Sequence, residues 1–137
     1  IGLTPQTAAQ LGGLKVQGKD AEAAKRLIQQ AMDLERIGCF SIVLECVPDK
    51  VAELITKQLK IPTIGIGAGV KCDGQVLVTQ DMLGLFERFK PKFVKQYLNL
   101  NNLISAAIRE YKREVEERQF PTPDHSFTIK QEELDKL

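Results

Sequence analysis

Phe40-Ser41-Ile42-Val43-Leu44 is apolar at nearly every position, and a helical pattern lies on each side of it. A strand without a polar face belongs in a sheet covered on both faces, and such sheets are parallel. Parallel strands need long crossover connections, so helices are expected between them. Upstream, Asp20 is placed as an N-cap, Ala24, Leu27, Ile28, Ala31 and Leu34 recur at helical spacing, and Gly38 serves as a C-terminal stop. Downstream, Pro48 and Asp49 open a second helix with Val51, Leu54, Ile55 and Leu59 as its buried stripe. Residues 63–66 and 75–78 read as further strands, and residues 1–3 as the tail of another. Residues 4–19 are irregular, broken by Pro5 and the Gly12-Gly13 pair. Residues 92–98 are expected to form a short helix. Asn101 or Asn102 is expected to cap a longer one reaching about Glu117, with Leu103, Ala106, Ala107, Tyr111 and Val115 inward. Residues 120–137 read as a surface tail with one final helical turn.

The strand–helix alternation predicts an α/β chain. It holds four strand pieces at most, whereas a (β/α)8 barrel needs eight strands and about 250 residues. An open four-stranded sheet is possible, but its first strand would have only three residues. A half barrel cut on its N-terminal side explains that stub better. The chain also opens Ile-Gly-Leu-Thr-Pro, without Met, polar lead-in or cap. Residue 1 is therefore expected to be an internal position.

Charge and cysteine content narrow the function classes. Nineteen basic and 18 acidic residues leave a net charge of +1, which calls for neither nucleic acid nor an anionic membrane as partner. No apolar run approaches the roughly 20 residues of a bilayer span, and no secretory signal is visible. Cys39, Cys46 and Cys72 are odd in number and lack CxxC spacing, and there is a single His. A disulfide framework and a Cys/His zinc site are disfavoured, so free thiols in a reducing cytoplasm are expected.

Three segments carry candidate chemistry. In Ile42-Val43-Leu44-Glu45-Cys46-Val47-Pro48 a carboxylate directly follows a buried strand. The carboxyl ends of strands surround the active sites of α/β folds. A carboxylate in such a place is partly desolvated, which raises its pKa and suits a general base. The same position also suits a Glu that caps the next helix or pairs with a Lys. In Ile61-Pro62-Thr63-Ile64-Gly65-Ile66-Gly67-Ala68-Gly69, alternate glycines allow close backbone approach. A dinucleotide fingerprint would need Gly at position 70, where Val70 stands, so a tight strand-end loop beside a site is expected. In the third segment, Asp73-Gly74 is a turn signal, and Asp81 either touches a ligand or, as favoured here, caps the next element. His125 lies far along the tail and is assigned a surface or packing role.

In this order and spacing the segments resemble ketopantoate hydroxymethyltransferase. The match runs through Ile1-Gly2-Leu3-Thr4-Pro5-Gln6, Gly12-Gly13-Leu14-Lys15-Val16-Gln17-Gly18, Val43-Leu44-Glu45-Cys46-Val47-Pro48 and residues 61–69. It continues through Cys72-Asp73-Gly74-Gln75-Val76-Leu77-Val78, Pro91-Lys92-Phe93-Val94-Lys95, Phe120-Pro121 and His125-Ser126-Phe127. The resemblance implies the C-terminal half of a (β/α)8 TIM barrel of the phosphoenolpyruvate/pyruvate type over residues 1–127, with 128–137 as a C-terminal tail. It implies hydroxymethyl transfer from 5,10-methylenetetrahydrofolate to 3-methyl-2-oxobutanoate, giving 2-dehydropantoate for pantothenate biosynthesis. Glu45 matches the family's proton acceptor, and Mg2+ holds the 2-oxo acid. The family's metal-binding carboxylates, with the lysine and serine that hold the 2-oxo acid, belong to the N-terminal half, and a His precedes the position of Ile1. The resemblance thus assigns this chain the base without the metal site, and the chain alone is expected to be inactive. The implied partners are the small-molecule substrates, the N-terminal half of the same protein, and further copies in a homo-oligomer, a decamer in the family. The other reading is a non-catalytic half-barrel scaffold or assembly piece.

Overall fold

The computed structural model describes residues 1–10, 13–86 and 88–137. Gly12, half of the expected glycine breaker, lies outside the described residues. The elements are α1 (Ala21–Arg36), β1 (Ile42–Glu45), α2 (Asp49–Gln58), β2 (Thr63–Ile66), β3 (Gly74–Gln75), α3 (Thr79–Met82), α4 (Leu100–Glu116) and α5 (Gln131–Leu134). Short 3-10 turns cover Pro5–Thr7 and Pro123–His125.

The sheet has the order β1-β2-β3 and is parallel throughout, with Ile42 opposite Thr63, Glu45 opposite Ile66, and Ile64 opposite Gly74. On the free side of β1, Gly2 forms a parallel bridge with Glu45. The Leu3 N–H donates to the Glu45 carbonyl at 2.8 Å, and the Glu45 N–H donates to the Ile1 carbonyl at 3.0 Å. Four strand pieces therefore lie side by side in chain order. The order reversal that opens the crevice of doubly wound sheets is not found among the described strands. An α/β chain on a parallel sheet is what the strand–helix alternation predicts.

One face of the sheet is packed. Ile42 and Leu44 of β1 meet Leu27 and Ala31 of α1, Ala52 and Ile55 of α2, and Val47, Ala68 and Cys72 in one cluster. Asp20 caps α1 by accepting the Ala23 N–H at 2.8 Å, and Gly38, at φ 101°, ends it. Side chains alternate across a strand, so Val43, Glu45 and Ile64 share the opposite face. Val43 is 46% exposed there. Parallel sheets are ordinarily covered on both faces, and among the described residues this one is covered on one.

Several elements differ from their sequence-based expectation. The strand expected over residues 75–78 is only Gly74–Gln75, because after the Val76 N–H reaches the Gly65 carbonyl the chain turns away to begin α3. No helix joins β2 to β3, and turns over residues 67–73 make the connection. Residues 92–98 are not helical. The Tyr97 N–H instead donates to the Met82 carbonyl, a tertiary hydrogen bond in place of a local helical one, and Leu100 and Asn101 at the start of α4 donate to the carbonyls of Leu83 and Gly84. The cap of α4 is Asn99, whose side chain accepts the Asn102 N–H, rather than Asn101 or Asn102. None of the expected inward residues of α4 is buried, and Leu103 is 60% exposed. In α2 the buried residues are Ala52 and Ile55, with Leu54 turned outward. Phe40 lies outside β1, 87% exposed, because the turn that ends α1 carries it to the surface. Gln131–Leu134 is the single helical turn expected in the tail.

Candidate active site

Glu45 is the last residue of β1, at the carboxyl edge of the sheet, and is half-buried. Its backbone is held by the Ile1–Leu3 segment on one side. On the other, the Cys46 N–H donates to the Ile66 carbonyl at 2.9 Å. Cys46 has φ 51°, in the left-handed region, and its carbonyl accepts the Gln17 N–H at 2.9 Å. This strained turn takes the chain from strand to helix in three residues while leaving Glu45 at the rim. The cap reading of Glu45 fails, since Pro48 is the N-cap of α2 and Asp49 accepts the Lys50 N–H. Glu45 belongs to no ion pair among the described residues. Burial pushes the neighbouring Cys46 thiol up, and the Glu45 carboxylate adds to the effect. Little thiolate forms near neutral pH, so Cys46 is a poor nucleophile.

The glycine loop is a strand-end turn, as its residues suggested. Gly67 sits at φ 65°, and a Cβ there would stand 2.8 Å from the Phe93 ring. At Gly69, with φ 83°, a Cβ would stand 2.6 Å from the Asp49 Cβ. The missing side chains thus let the loop close against Phe93 and the first turn of α2. Gln75 Nε2 donates to the Gly69 carbonyl at 2.9 Å and pins the loop to β3.

The two aspartates separate. Asp73 is structural: its carboxylate accepts the Thr63 N–H at 2.8 Å and the Thr63 hydroxyl at 3.1 Å, at the opposite end of β2 from Glu45. Asp81 is not the cap expected of it. Helix α3 begins at Thr79 with Val78 as N-cap and no side-chain cap bond, which puts Asp81 inside the first turn. His125 packs as expected, with Nδ1 2.7 Å from the Thr122 hydroxyl and its ring 5.1 Å from that of Phe120.

A cavity of about 420 Å³ opens at the carboxyl ends of β2 and β3, between Gly67, Gln75, Met82, Phe93 and Tyr97. Sequence reasoning assigned no role to Phe93, Lys95 or Tyr97. The run Pro91-Lys92-Phe93-Val94-Lys95 marked the region, but an expected helix there hid a loop that folds back over the strand ends. Among the described residues no three of His, Cys, Asp and Glu cluster closely enough to hold a metal ion. None of the described helices is long and apolar enough to cross a membrane.

The family model for ketopantoate hydroxymethyltransferase matches residues 1–123. The chain is 61% identical over its full length to a protein of Clostridium botulinum called 3-methyl-2-oxobutanoate hydroxymethyltransferase, of which it covers 50%. A protein of the same name from Enterococcus faecalis is 57% identical with the same coverage. One from Heliobacterium modesticaldum is 60% identical over 132 residues, 96% of this chain and 48% of the relative. The chain spans about half the length of the curated relatives it matches. A match over nearly all of the chain, at such identity and on these strand-end motifs, makes it a member of the ketopantoate hydroxymethyltransferase family.

Proposed function

We propose that the complete protein carrying this chain transfers a hydroxymethyl group from 5,10-methylenetetrahydrofolate to 3-methyl-2-oxobutanoate, giving 2-dehydropantoate for pantothenate synthesis. Glu45 is the proton acceptor. The observation that carries this reading is the place of Glu45: a half-buried carboxylate at the carboxyl end of a parallel strand, on the open face of the sheet and outside every ion pair of the described residues. Active sites of parallel α/β folds form at that end of the strands.

A C–H beside a ketone is a weak acid, so a positioned base must take its proton while the enolate forms. The Glu45 carboxylate takes the C3 proton of the 2-oxo acid. The enolate carbon then bonds to the one-carbon unit delivered by the folate. Water supplies the hydroxyl oxygen, and tetrahydrofolate leaves. The resemblance assigns the ligands of the family's magnesium to the N-terminal half of the protein.

Residues 1–127 form the C-terminal half of one (β/α)8 barrel, and 128–137 form a tail. The parallel sheet in chain order and its open second face support this architecture. The protein works in the cytoplasm as a homo-oligomer. The test is Glu45→Gln in the complete protein. Exchange of the C3 proton of 3-methyl-2-oxobutanoate with solvent is expected to fall by at least about 100-fold, the scale of a lost general base. Exchange at the unaltered rate removes Glu45 as the base.

A further inference from the structure

The reading of Glu45 leaves the cavity at the strand ends without a role. Gly67 follows Ile66, the cross-strand partner of Glu45, so the cavity begins one residue from the register position of the proposed base. Its volume of about 420 Å³ lies within the range of small-molecule sites. Two of its wall residues are aromatic. The Phe93 ring lies against the bare backbone of Gly67, and Tyr97 leaves 66% of its surface exposed. The Lys95 ammonium stands 4.8 Å from the Tyr97 ring centroid, which adds a positive charge to a flat apolar surface.

The wall is anchored. Val94 is buried, its N–H donates to the Pro91 carbonyl at 3.0 Å, and the Tyr97 N–H donates to the Met82 carbonyl at 2.9 Å. Charge is concentrated there as well. The whole chain is almost neutral at +1, yet Arg88, Lys90, Lys92 and Lys95 are all exposed, and no acidic residue occurs from Arg88 to Leu100. Exposed aromatic surface beside concentrated positive charge favours a flat ring system that carries carboxylates. The 2-oxo acid is small and aliphatic and has no ring to lay on such walls.

We infer that this cavity is the folate subsite: the ring system of the one-carbon carrier lies against Phe93 and Tyr97, and its carboxylate tail points to Lys95 and the basic segment around it. The inference rests on the hydroxymethyl-transfer reading. Folate bound here delivers its one-carbon unit next to the strand end that carries Glu45.

The test measures binding of tetrahydrofolate and of 3-methyl-2-oxobutanoate to the complete protein by titration calorimetry. Tyr97→Ala and Lys95→Ala are each expected to weaken tetrahydrofolate binding about tenfold, the scale of a lost ring contact or charge-assisted hydrogen bond. Lys95→Arg keeps the positive charge and is expected to weaken tetrahydrofolate binding less than Lys95→Ala does. Affinity for the 2-oxo acid is expected to stay within about twofold in Lys95→Ala, whose exposed side chain can be removed without unfolding the loop. Tetrahydrofolate affinity unchanged in both alanine variants, or equal loss of both ligands in Lys95→Ala, overturns the assignment. Equal displacement of tetrahydrofolate by ATP also overturns it, because the cavity would then accept any planar anion. Glu45→Gln separates the two readings: unaltered C3 exchange in that variant removes the base and leaves the subsite standing. If the unaltered protein binds no tetrahydrofolate, the co-substrate and the subsite both fall.

Discussion

Asp73 and Thr63 lie ten residues apart and meet at the entry of β2 and β3. Thr63 is fully buried, and its N–H and hydroxyl both reach the Asp73 carboxylate. Removing that acceptor leaves a buried donor unsatisfied, which is costlier than the net value of the bond itself. Asp73→Ala is therefore expected to destabilise the protein by about 1–3 kcal/mol, measured by chemical denaturation. Asp73→Asn retains an acceptor oxygen and is expected to lose less. Gly67 makes a second prediction at this scale. Its φ of 65° and the Phe93 ring 2.8 Å from a would-be Cβ both act against a side chain. Gly67→Ala is expected to cost about 1–2 kcal/mol from the left-handed backbone alone, with the ring displaced besides. A denaturation midpoint equal to that of the unaltered protein would show that the loop tolerates the change.

At the scale of elements, α2 presents one buried stripe and one charged face. On the charged face, hydrogen bonds from Lys57 and Lys50 hold the Glu53 carboxyl down, from an ordinary 4.5 to about 2. A depressed folded-state pKa means that Glu53 stabilises the fold above the unfolded pKa near 4.5 and loses that contribution as pH falls through about 2. Glu53→Gln removes the effect. The drop in thermal midpoint from pH 5 to pH 2 is expected to be smaller in that variant than in the unaltered protein. An identical drop would show that the two lysines do not hold the carboxylate in solution. Helix α4 shows the limit of periodicity. Its apolar residues recur at helical spacing, and the helix forms, but spacing alone does not say what the stripe packs against. Leu103, Ile104, Ile108 and Tyr111 remain exposed.

At the scale of the whole molecule, the open sheet face and the uncovered stripe of α4 are the dominant facts. Val43 and Val76 on or beside the sheet, with the α4 residues, leave apolar surface to water that a parallel sheet and an amphipathic helix ordinarily bury. Residues 1–137 by themselves are expected to associate or aggregate, as read by sedimentation velocity. A monodisperse monomer that unfolds cooperatively would contradict the half-barrel architecture.

The sequence by itself determined the α/β class, the places of α1, α2, β1 and β2, the cap at Asp20, the stop at Gly38 and the strand-end position of Glu45. These depend on periodicity, capping and turn chemistry, which act over a few residues and are written in local order. Only the tertiary structure decided that Asp73 holds Thr63, that Asp81 caps nothing, and that residues 92–98 are a loop. It alone brought Phe93, Lys95 and Tyr97 to the end of β2. In each case a backbone or side-chain hydrogen bond, or a packed ring, joins residues distant in the chain, and such partners outweigh local propensity without leaving a local trace. Glu45 was legible because a strand end is a local feature. The cavity beside it was not, because four separate stretches of chain, at Gly67, Gln75–Leu77, Met82 and Phe93–Tyr97, build it.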